Sequence, residues 1–598
     1  MRKFSKVVII LLLCVVLSGI SLIYAIADEE TYSYQKVQAT QFPNGMVSSA
    51  RQLASEAGVE VLKNGGNAVD AAATTQFVLN VTFPSCTGIG GGCFIMISDE
   101  STGEVFAIDG REEAPELYTE DVFLDNEGNV IPFSKRRPGG NSAGVPGTLA
   151  AWNLALEKFG TISLTEALEP AIRIAEEGFP LSASDAKTWA NKTLSRFPSS
   201  VEIFHKPDGS LYKEGEVWRN PDLAETFRLI ASEGIDAFYK GEIAADIVKV
   251  IQEDTVNPGV MALNDLAGYR AVLREPVRGE YRGYEIVAMS PPTSGGTAMI
   301  EMLNISEAFN LGQYEFGDPD GVHLINEAQK VAYADRNRYL GDSDWVDVPL
   351  DTLLSKEFAA VRRDLINPYK AIPTPAPYGE VPSGAPISQF SITDTEGVST
   401  THFSVVDRSR DMVACTTTIE GGLGCYIVVP GRGFLLNNEL TDFDAKPYFE
   451  DGTPAPNRPE GGKMPRITSL DAQDTIGGKR PRSSMCPTLI FKDGTPYMTL
   501  GTPGGSTIFG KVFDAIVNVI DFGMDPQQAI FAPIILNRNG DMGLQSELFE
   551  QPELVSLLEA RGHKIKSTGR TSLCAIMVEW DTGMLLGGAL EGGYVAGY

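Results

Sequence analysis

Apolar residues recur at intervals of three or four through most of the chain up to about residue 390, which predicts a mainly helical part. This period runs on both sides of Gly65-Gly66 in SSARQLASEAGVEVLKNGGNAVDAAATTQFVLNVT, so we expect two helices that separate at these glycines. The segment GVHLINEAQKVAYADRNRYLGD carries an apolar stripe of the same period and predicts another helix.

From about residue 399 the pattern changes to short β-rich runs, HFSVVD, MVACTTTI and PTLIF, which predict strands. One long helix is expected in STIFGKVFDAIVNVIDFG, where apolar side chains fall on one face, namely Ile508, Val512, Ile516 and Val519. Two segments rich in Pro and Gly predict loops that act as linkers or as a lid, YKAIPTPAPYGEVPSGAPIS and KPYFEDGTPAPNRPEGGKMPRITSLDAQDTIGG. These patterns alone indicate a mixed α and β protein.

The stretch TTHFSVVDRSRDMVACTTT is expected to fold as a hairpin that turns at Arg408-Ser409-Arg410. Pairing about Ser409 sets Thr400 opposite Thr418, with Cβ atoms about 5 Å apart and hydroxyls within hydrogen-bonding reach. Alternation along the strand puts Thr400 and His402 on one face and Thr401 on the other.

A threonine hydroxyl needs a nearby base to act as a nucleophile. His402 would have to reach back along its own strand, so we interpret it as a buried structural histidine. If the chain is cut between Ser399 and Thr400, the new α-amine of Thr400, with a reference pKa of about 7.7–8.0, lies beside its own hydroxyl and can serve as the base. The hydroxyl of Thr400 can make this cut itself by attacking the Ser399 carbonyl.

Charge and the N-terminal segment limit the classes of function. The net charge of −29 disfavours binding to nucleic acid and makes a soluble exported protein a simple interpretation. A basic start, an apolar run from Val7 and Ala25-Ile26-Ala27 predict a secretory signal over residues 1–27, with an uncleaved membrane anchor as the alternative. Either interpretation places the rest of the chain outside the cytoplasm.

Cysteines and histidines are few. Seven cysteines are too sparse for a disulfide framework; Cys86 and Cys93 could pair, but buried thiols are the preferred interpretation. Four histidines without a metal-binding motif disfavour a metal enzyme, and we expect no cofactor.

Three further segments could support acyl transfer. TPGGST places Gly504 and Gly505 at the start of the long helix, where adjacent N–H groups can form an oxyanion hole, although a plain tight turn would have the same sequence. KRPRSSMCPT offers the hydroxyls of Ser483 and Ser484. LLNNELTDF offers the carboxylates of Glu439 and Asp442.

Many motifs in one order resemble the γ-glutamyltransferases (glutathione hydrolase proenzymes), which are self-processing N-terminal nucleophile hydrolases. The shared stretches span nearly the whole chain after the leader: NGGNAVDAA, GIGGGCF, AIDGREEAP, GVPGTLAAW, MSPPTSGGTAMIEMLNI, AYADRNRYLGD, TTHFSVVD, LLNNELTDFDAKP, KRPRSSM and GTPGGST. The resemblance implies an α+β fold, a four-layer αββα sandwich built jointly by a large subunit (28–399) and a small subunit (400–598) that form a heterodimer.

The resemblance also implies residue roles. Thr400 would be the nucleophile and Thr418 its hydrogen-bond partner, with Gly504 and Gly505 as the oxyanion hole. The substrate α-carboxylate would be bound by a cationic clamp, and the α-ammonium by an anionic clamp. The first consists of Arg111, Ser483 and Ser484; the second consists of Glu420, Glu439 and Asp442. The implied donor is glutathione or another γ-glutamyl amide, and the acceptor is water or an amino acid or peptide.

Some segments depart from the family pattern. The segment GGLGCYIVV has Leu423 and Cys425 where an aromatic residue and Gly-Thr-Gly are usual, APII stands in place of Ala-Pro-Arg, and the chain ends in GALEGGYVAGY. Two alternatives keep the nucleophile, a poly-γ-glutamate depolymerase and a cephalosporin-type acylase. A third, motivated by the altered C-terminal segments, is an uncut exported binding protein.

Overall fold

The computed structural model describes residues 34–381, 399–471, 476–569, 573–590 and 593–598. The predicted signal segment therefore lies outside the described residues, as do residues 382–398, which include the end of the loop predicted before Thr400. None of the helices in the described part of the chain is long and apolar enough to cross a membrane.

Two seven-stranded sheets form the centre of the fold. The first has the order β21-β2-β10-β11-β3-β4-β7, and the second has the order β1-β20-β19-β15-β14-β9-β8. In chain order the strands are β1 (Thr40–Phe42), β2 (Met46–Ser49), β3 (Gly92–Asp99), β4 (Glu104–Gly110), β5 (Phe179–Pro180), β6 (Val217–Trp218), β7 (Val272–Arg274), β8 (Val277–Tyr281), β9 (Tyr284–Ala288), β10 (Thr400–Val406), β11 (Met412–Thr418), β12 (Met464–Pro465), β13 (Ile476–Gly477), β14 (Thr488–Lys492), β15 (Thr495–Gly501), β16 (Ile535–Leu536), β17 (Met542–Gln545), β18 (Ile565–Thr568), β19 (Cys574–Glu579), β20 (Met584–Ala589) and β21 (Tyr594–Gly597).

Helices cover the outer faces of both sheets. In chain order they are α1 (Gln52–Lys63), α2 (Ala68–Thr82), α3 (Phe133–Arg136), α4 (Thr148–Phe159), α5 (Leu164–Glu177), α6 (Ala183–Trp189), α7 (Pro198–Phe204), α8 (Pro221–Glu233), α9 (Asp236–Tyr239), α10 (Glu242–Gln252), α11 (Leu263–Gly268), α12 (Gly295–Ser306), α13 (Pro319–Tyr339), α14 (Leu350–Leu353), α15 (Lys356–Arg363), α16 (Ile508–Ile520), α17 (Pro526–Phe531), α18 (Ser546–Phe549) and α19 (Pro552–Ala560). The expected pair of helices around Gly65-Gly66 is confirmed by α1 and α2. The helices predicted in GVHLINEAQKVAYADRNRYLGD and STIFGKVFDAIVNVIDFG are confirmed by α13 and α16.

The layer order follows from which side each strand residue faces. Phe403 and Val405 of β10 pack in a cluster with helices α2 and α4, whereas Met412 and Ala414 of β11 pack in a second cluster that includes residues of the other sheet. The sheets are thus stacked face to face, with helices outside each. This is the expected four-layer αββα sandwich.

The hairpin formed by β10 and β11 has the predicted register. Thr400 is paired with Thr418, and the antiparallel pairing continues without a slip to Val406 and Met412. The Asp407 carboxylate stabilises the turn by accepting hydrogen bonds from the N–H groups of Ser409 (2.8 Å) and Asp411 (3.1 Å). The hairpin lies in the middle of its sheet, between β2 and β3.

The part before residue 390 contains more strand than its pattern predicts. It contributes β1 to β9, including four of the seven strands in one sheet and three of the seven in the other. The strand Gly92–Asp99 is buried from Gly92 to Ser98 because it is covered on both faces. Such a strand loses the apolar–polar alternation that would reveal it in the sequence.

The six cysteines in the described residues are free and buried, including Cys86 and Cys93. The long loop after Lys446 is fastened to the part before residue 390. Arg466 forms a buried ion pair with Glu113, and the Thr468 hydroxyl donates to Asp344 at 2.7 Å.

Candidate active site

One narrow cavity collects nearly all the predicted site residues. It is lined by Arg111, Thr400, Thr418, Glu420, Glu439, Asp442, Ser483, Ser484 and Gly505, together with Met485 and Ile508. Gly504 precedes Gly505 in the same turn. Residues separated by more than 350 positions thus meet at the end of the central hairpin.

The Thr418 hydroxyl connects the predicted nucleophile to the predicted cleavage site. It accepts a hydrogen bond from the Thr400 hydroxyl (3.3 Å) and donates one to the Ser399 carbonyl oxygen (3.2 Å). The N–H of Glu420 donates to the same Thr418 oxygen at 2.8 Å. This arrangement polarises the carbonyl that the Thr400 hydroxyl would attack.

His402 is separated from this chemistry. Its ring nitrogens are hydrogen-bonded to the hydroxyls of Thr416 (2.9 Å) and Ser404 (3.2 Å), on the side of the strand that faces the other sheet. Burial lowers the pKa of His402 to about 3. A histidine whose two nitrogens are satisfied in this way is a structural residue, as the sequence analysis expected.

The turn before α16 holds the predicted oxyanion hole. Gly504 has φ of +138° and Gly505 has φ of +56°, and both values favour glycine. Two side chains fix the next residue: the Arg538 guanidinium donates to the Ser506 hydroxyl (2.6 Å), and the Tyr333 hydroxyl donates to the Ser506 carbonyl. Among the described residues, neither glycine N–H donates a hydrogen bond, so both remain available to a developing negative charge.

The cationic and anionic clamps are in contact with each other. The Arg111 guanidinium forms ion pairs with Glu439 and with Asp442 (2.5 Å), and Arg111 and Glu439 are both buried. Burial by itself would lower the pKa of Arg111, but the neighbouring carboxylates raise it. Burial raises the pKa of Glu439 well above its usual range, and the Arg111 charge opposes this shift.

The hydroxyls of the two serines accept hydrogen bonds from neighbouring groups. The Ser483 hydroxyl accepts from the Met485 N–H (3.0 Å), which leaves its own proton free to donate towards the cavity. The Ser484 hydroxyl accepts from the Arg336 guanidinium at 2.7 Å. Both serines can therefore be oriented before a carboxylate arrives.

A family model described as gamma-glutamyltranspeptidase matches residues 54–591 of the chain. The chain belongs to this family. The glutathione hydrolase proenzyme of Bacillus subtilis (strain 168) is 39% identical over 580 residues, covering 94% of this chain and 93% of that protein. The Escherichia coli (strain K12) glutathione hydrolase proenzyme is 40% identical over 536 residues, covering 89% and 87%. The crystal structure of cephalosporin acylase from Bacillus halodurans superimposes with a TM-score of 0.77 at 28% identity, covering 94% and 97% of the two chains.

Several residues around the site were not found by sequence reasoning. Glu112 is buried next to Arg111, and burial raises the pKa of Glu112 to about 8. Asn438 holds Glu420 through its side-chain amide, and its carbonyl oxygen accepts from the Gly421 N–H at 3.0 Å. Both residues lie within quoted family motifs, so the motifs gave a signal that the sequence analysis did not use.

The departures from the family pattern lie beside the site rather than in it. In GGLGCYIVV the Arg137 guanidinium donates to the carbonyls of Gly422 (2.5 Å) and Gly424 (3.1 Å), and Leu423 has a left-handed φ of +74°. The APII segment leads into β16, and the C-terminal segment forms β21 next to β2. The residues predicted to form the nucleophile and the clamps are all present around the cavity.

Proposed function

We propose that this protein matures by cutting itself before Thr400 and then transfers γ-glutamyl groups through that residue. In maturation the Thr400 hydroxyl adds to the Ser399 carbonyl, and the peptide bond to the Thr400 nitrogen breaks. Water then hydrolyses the resulting ester. The products are a carboxylate at Ser399 and a free α-amine at Thr400.

In turnover the free α-amine takes the proton from the Thr400 hydroxyl as its oxygen attacks the γ-carbonyl carbon of the donor. The electron pair of the carbonyl moves onto its oxygen, which is stabilised by the N–H groups of Gly504 and Gly505. When the intermediate collapses, the α-ammonium of Thr400 gives its extra proton to the amine part of the donor, which leaves. An ester between the γ-glutamyl group and Thr400 remains. Water or the amine of an amino acid or peptide then releases the γ-glutamyl group by the reverse sequence.

Glutathione is the proposed donor because the relatives in Bacillus subtilis and Escherichia coli are named glutathione hydrolase proenzymes. A γ-glutamyl group carries an α-carboxylate and an α-ammonium at its far end. Arg111 with Ser483 and Ser484 would bind the carboxylate, and Glu420, Glu439 and Asp442 would bind the ammonium. The observation that carries this proposal is that Thr400 and both clamps line one cavity.

A denaturing gel tests the nucleophile. The wild-type protein should give two bands, one for the piece that ends at Ser399 and one for the piece that begins at Thr400. The Thr400→Ala variant should give one uncut band and should not turn over γ-glutamyl anilides. Thr401→Ala, which changes the neighbouring hydroxyl, is the control and should be cut normally. An intact wild-type chain would instead favour an uncut binding protein.

An acylase function is the second candidate, since the cephalosporin acylase structure is similar along nearly its whole length. A panel of γ-glutamyl, glutaryl and poly-γ-glutamyl anilides separates the enzyme functions. Glutaryl groups lack the α-ammonium, so a transferase that uses Glu439 and Asp442 should prefer the γ-glutamyl anilide. Preference for the glutaryl anilide would favour the acylase.

Export is also proposed, on the basis of residues 1–27. The protein would act outside the cytoplasm, either released or held by an uncleaved anchor. Intact mass measurement of protein recovered outside the cytoplasm would distinguish a chain that begins at Asp28 from one that retains Met1. Recovery of active protein only from the cytoplasm would contradict this proposal.

A further inference from the structure

Lys511 is a buried cation in the apolar helix α16. It is 4% exposed and its neighbours along the helix, such as Ile508 and Val512, belong to the core. Among the described residues, no side chain or carbonyl forms a hydrogen bond or ion pair with its ammonium. Holding a lysine this deeply in an apolar helix is costly, so a plain packing role would be served better by an apolar residue.

The Lys511 ammonium lies against the predicted oxyanion hole. Side chains of a helix lean towards its N-terminus, so Lys511 reaches back past the first turn to Gly504. A Cβ added to Gly504 would collide with the Lys511 Nζ atom and would also meet the Thr507 hydroxyl at 2.8 Å. The space that a side chain at position 504 would need is therefore occupied by the ammonium.

The surroundings of Lys511 are positive. The N-terminus of α16 carries the positive end of the helix dipole, and Arg538 approaches the same turn through Ser506. Burial and, to a smaller extent, the Arg538 charge lower the pKa of Lys511 to about 7, and Asp514 opposes this shift. Asp514 itself accepts hydrogen bonds from Gln329 (2.9 Å) and the Ile535 N–H (2.9 Å).

We propose that Lys511 is a positioning residue for the oxyanion hole, whose ammonium stabilises the negative charge that forms beside Gly504 and Gly505 during acyl transfer. The inference rests on the proposed function. The ammonium acts through the glycine turn and keeps its proton throughout, so no bond to Lys511 forms or breaks. Its counter-charge is supplied by the substrate oxygen, and only while the tetrahedral intermediate exists.

The test compares Lys511→Met, which removes the charge at similar length, with Lys511→Arg, which keeps it. kcat/KM of the mature proteins for a γ-glutamyl anilide is measured against pH, because its profile reports groups of the free enzyme. In the wild type, kcat/KM should pass through a maximum with pH, because the reactive form needs a neutral Thr400 α-amine together with a protonated Lys511 ammonium. Lys566→Met, on an exposed strand residue, is the matched control and should keep this profile.

For Lys511→Met we expect the falling limb to disappear and the maximal kcat/KM to decrease about 10- to 100-fold, less than the roughly 100- to 1,000-fold cost of losing a direct oxyanion-hole donor. Lys511→Arg should also lack the falling limb but keep kcat/KM within about threefold, since its guanidinium stays charged. A Met variant with the wild-type rate and profile would mean that the lysine stem only fills space, which overturns the proposal.

If the Met variant does not mature, Lys511→Arg alone decides: a falling limb that persists in this variant also overturns the proposal. Failure of the proposed function has a different signature. In that case the wild type remains uncut, or Thr400→Ala keeps its turnover, whatever the Lys511 variants do.

Discussion

The hydroxyls of Thr400 and Thr418 are hydrogen-bonded at 3.3 Å across the central hairpin, and the Thr418 hydroxyl also contacts the carbonyl of Ser399. One side chain thus touches both the attacking oxygen and the carbonyl that it would attack. Because Thr418 is buried, water does not compete freely for these contacts. The proposed self-cleavage therefore depends on a second threonine as well as on the nucleophile.

We predict that Thr418→Val slows self-cleavage about tenfold or more, because the Ser399 carbonyl loses its hydrogen-bond donor. The measurement is the fraction of uncut chain on a denaturing gel during incubation of purified precursor. Thr416→Val is the matched control. Thr416 lies on the same strand and the same face as Thr418, and its buried hydroxyl contacts His402. The Thr416→Val variant should mature at the wild-type rate. Equal slowing of both variants would point to general loss of packing and count against the prediction.

A second prediction concerns His402, which does not act as the base. His402→Gln should change kcat/KM for a γ-glutamyl anilide less than about tenfold, whereas loss of a true general base costs about 100- to 10,000-fold. The mature variant and the wild type are compared at one pH with the same donor. A loss of a thousandfold or more in correctly cut protein would reinstate the histidine as a catalytic group.

The same variant predicts a change in acid stability. The pKa of His402 is about 3 in the folded protein and about 6.5 in an unfolded chain. A depressed folded pKa means that its contribution to the free energy of unfolding is present above about pH 6.5 and is lost as the pH falls towards 3. Denaturant unfolding should therefore show that the stability difference between the wild type and His402→Gln shrinks with acidification.

A third prediction separates the two clamps. Asp442→Asn should raise KM for a γ-glutamyl anilide about tenfold or more by weakening contact with the α-ammonium, and should leave the glutaryl anilide nearly unaffected. Arg111→Lys should impair both substrates, because both carry the carboxylate that the guanidinium fork binds. Steady-state kinetics of the four combinations make the comparison. If Asp442→Asn impairs both substrates equally, its task is to hold Arg111, to which it is paired, and the ammonium role is wrong.

A fourth prediction is that the two pieces stay together after the cut. Strands from both pieces alternate in each sheet: β10 and β11 lie between β2 and β3, and β14 lies next to β9. Mature protein should elute from size-exclusion chromatography as one species that contains both bands, and should separate only in denaturant. Elution of either band alone under native conditions would contradict it.

The sequence predicted the hairpin because its pairing depends on a short turn whose midpoint can be read from the chain. It could not predict that Arg111 pairs with Glu439, since 328 positions separate them and only the packed sheets bring them together. The family resemblance assigned the two clamps to two different charged groups at the far end of a γ-glutamyl substrate, whereas in the structure the charged groups of the clamps are in direct contact. Opposite charges in a small buried cavity lower their electrostatic energy by pairing.

Helix α16 shows a second limit of pattern reasoning. The apolar stripe of Ile508, Val512, Ile516 and Val519 predicted an amphipathic helix, yet the polar positions between them, Lys511 and Asp514, are also buried. Their environment is set by Gly504, Arg538 and Gln329 from other segments. The spacing of apolar residues along a helix identifies one buried face, but it does not show which other segments cover the opposite face.

The interleaving of the two pieces has a consequence for the lifetime of the mature protein. The precursor folds as one chain, so the continuous backbone brings its β-strands together at an entropic cost that depends only weakly on loop length. Once the link before Thr400 is broken, unfolding releases two separate polymers, and regaining the native state becomes a bimolecular reaction that depends on dilution. The lifetime of the mature protein would then depend on its rate of unfolding more than on the equilibrium between its folded and unfolded forms.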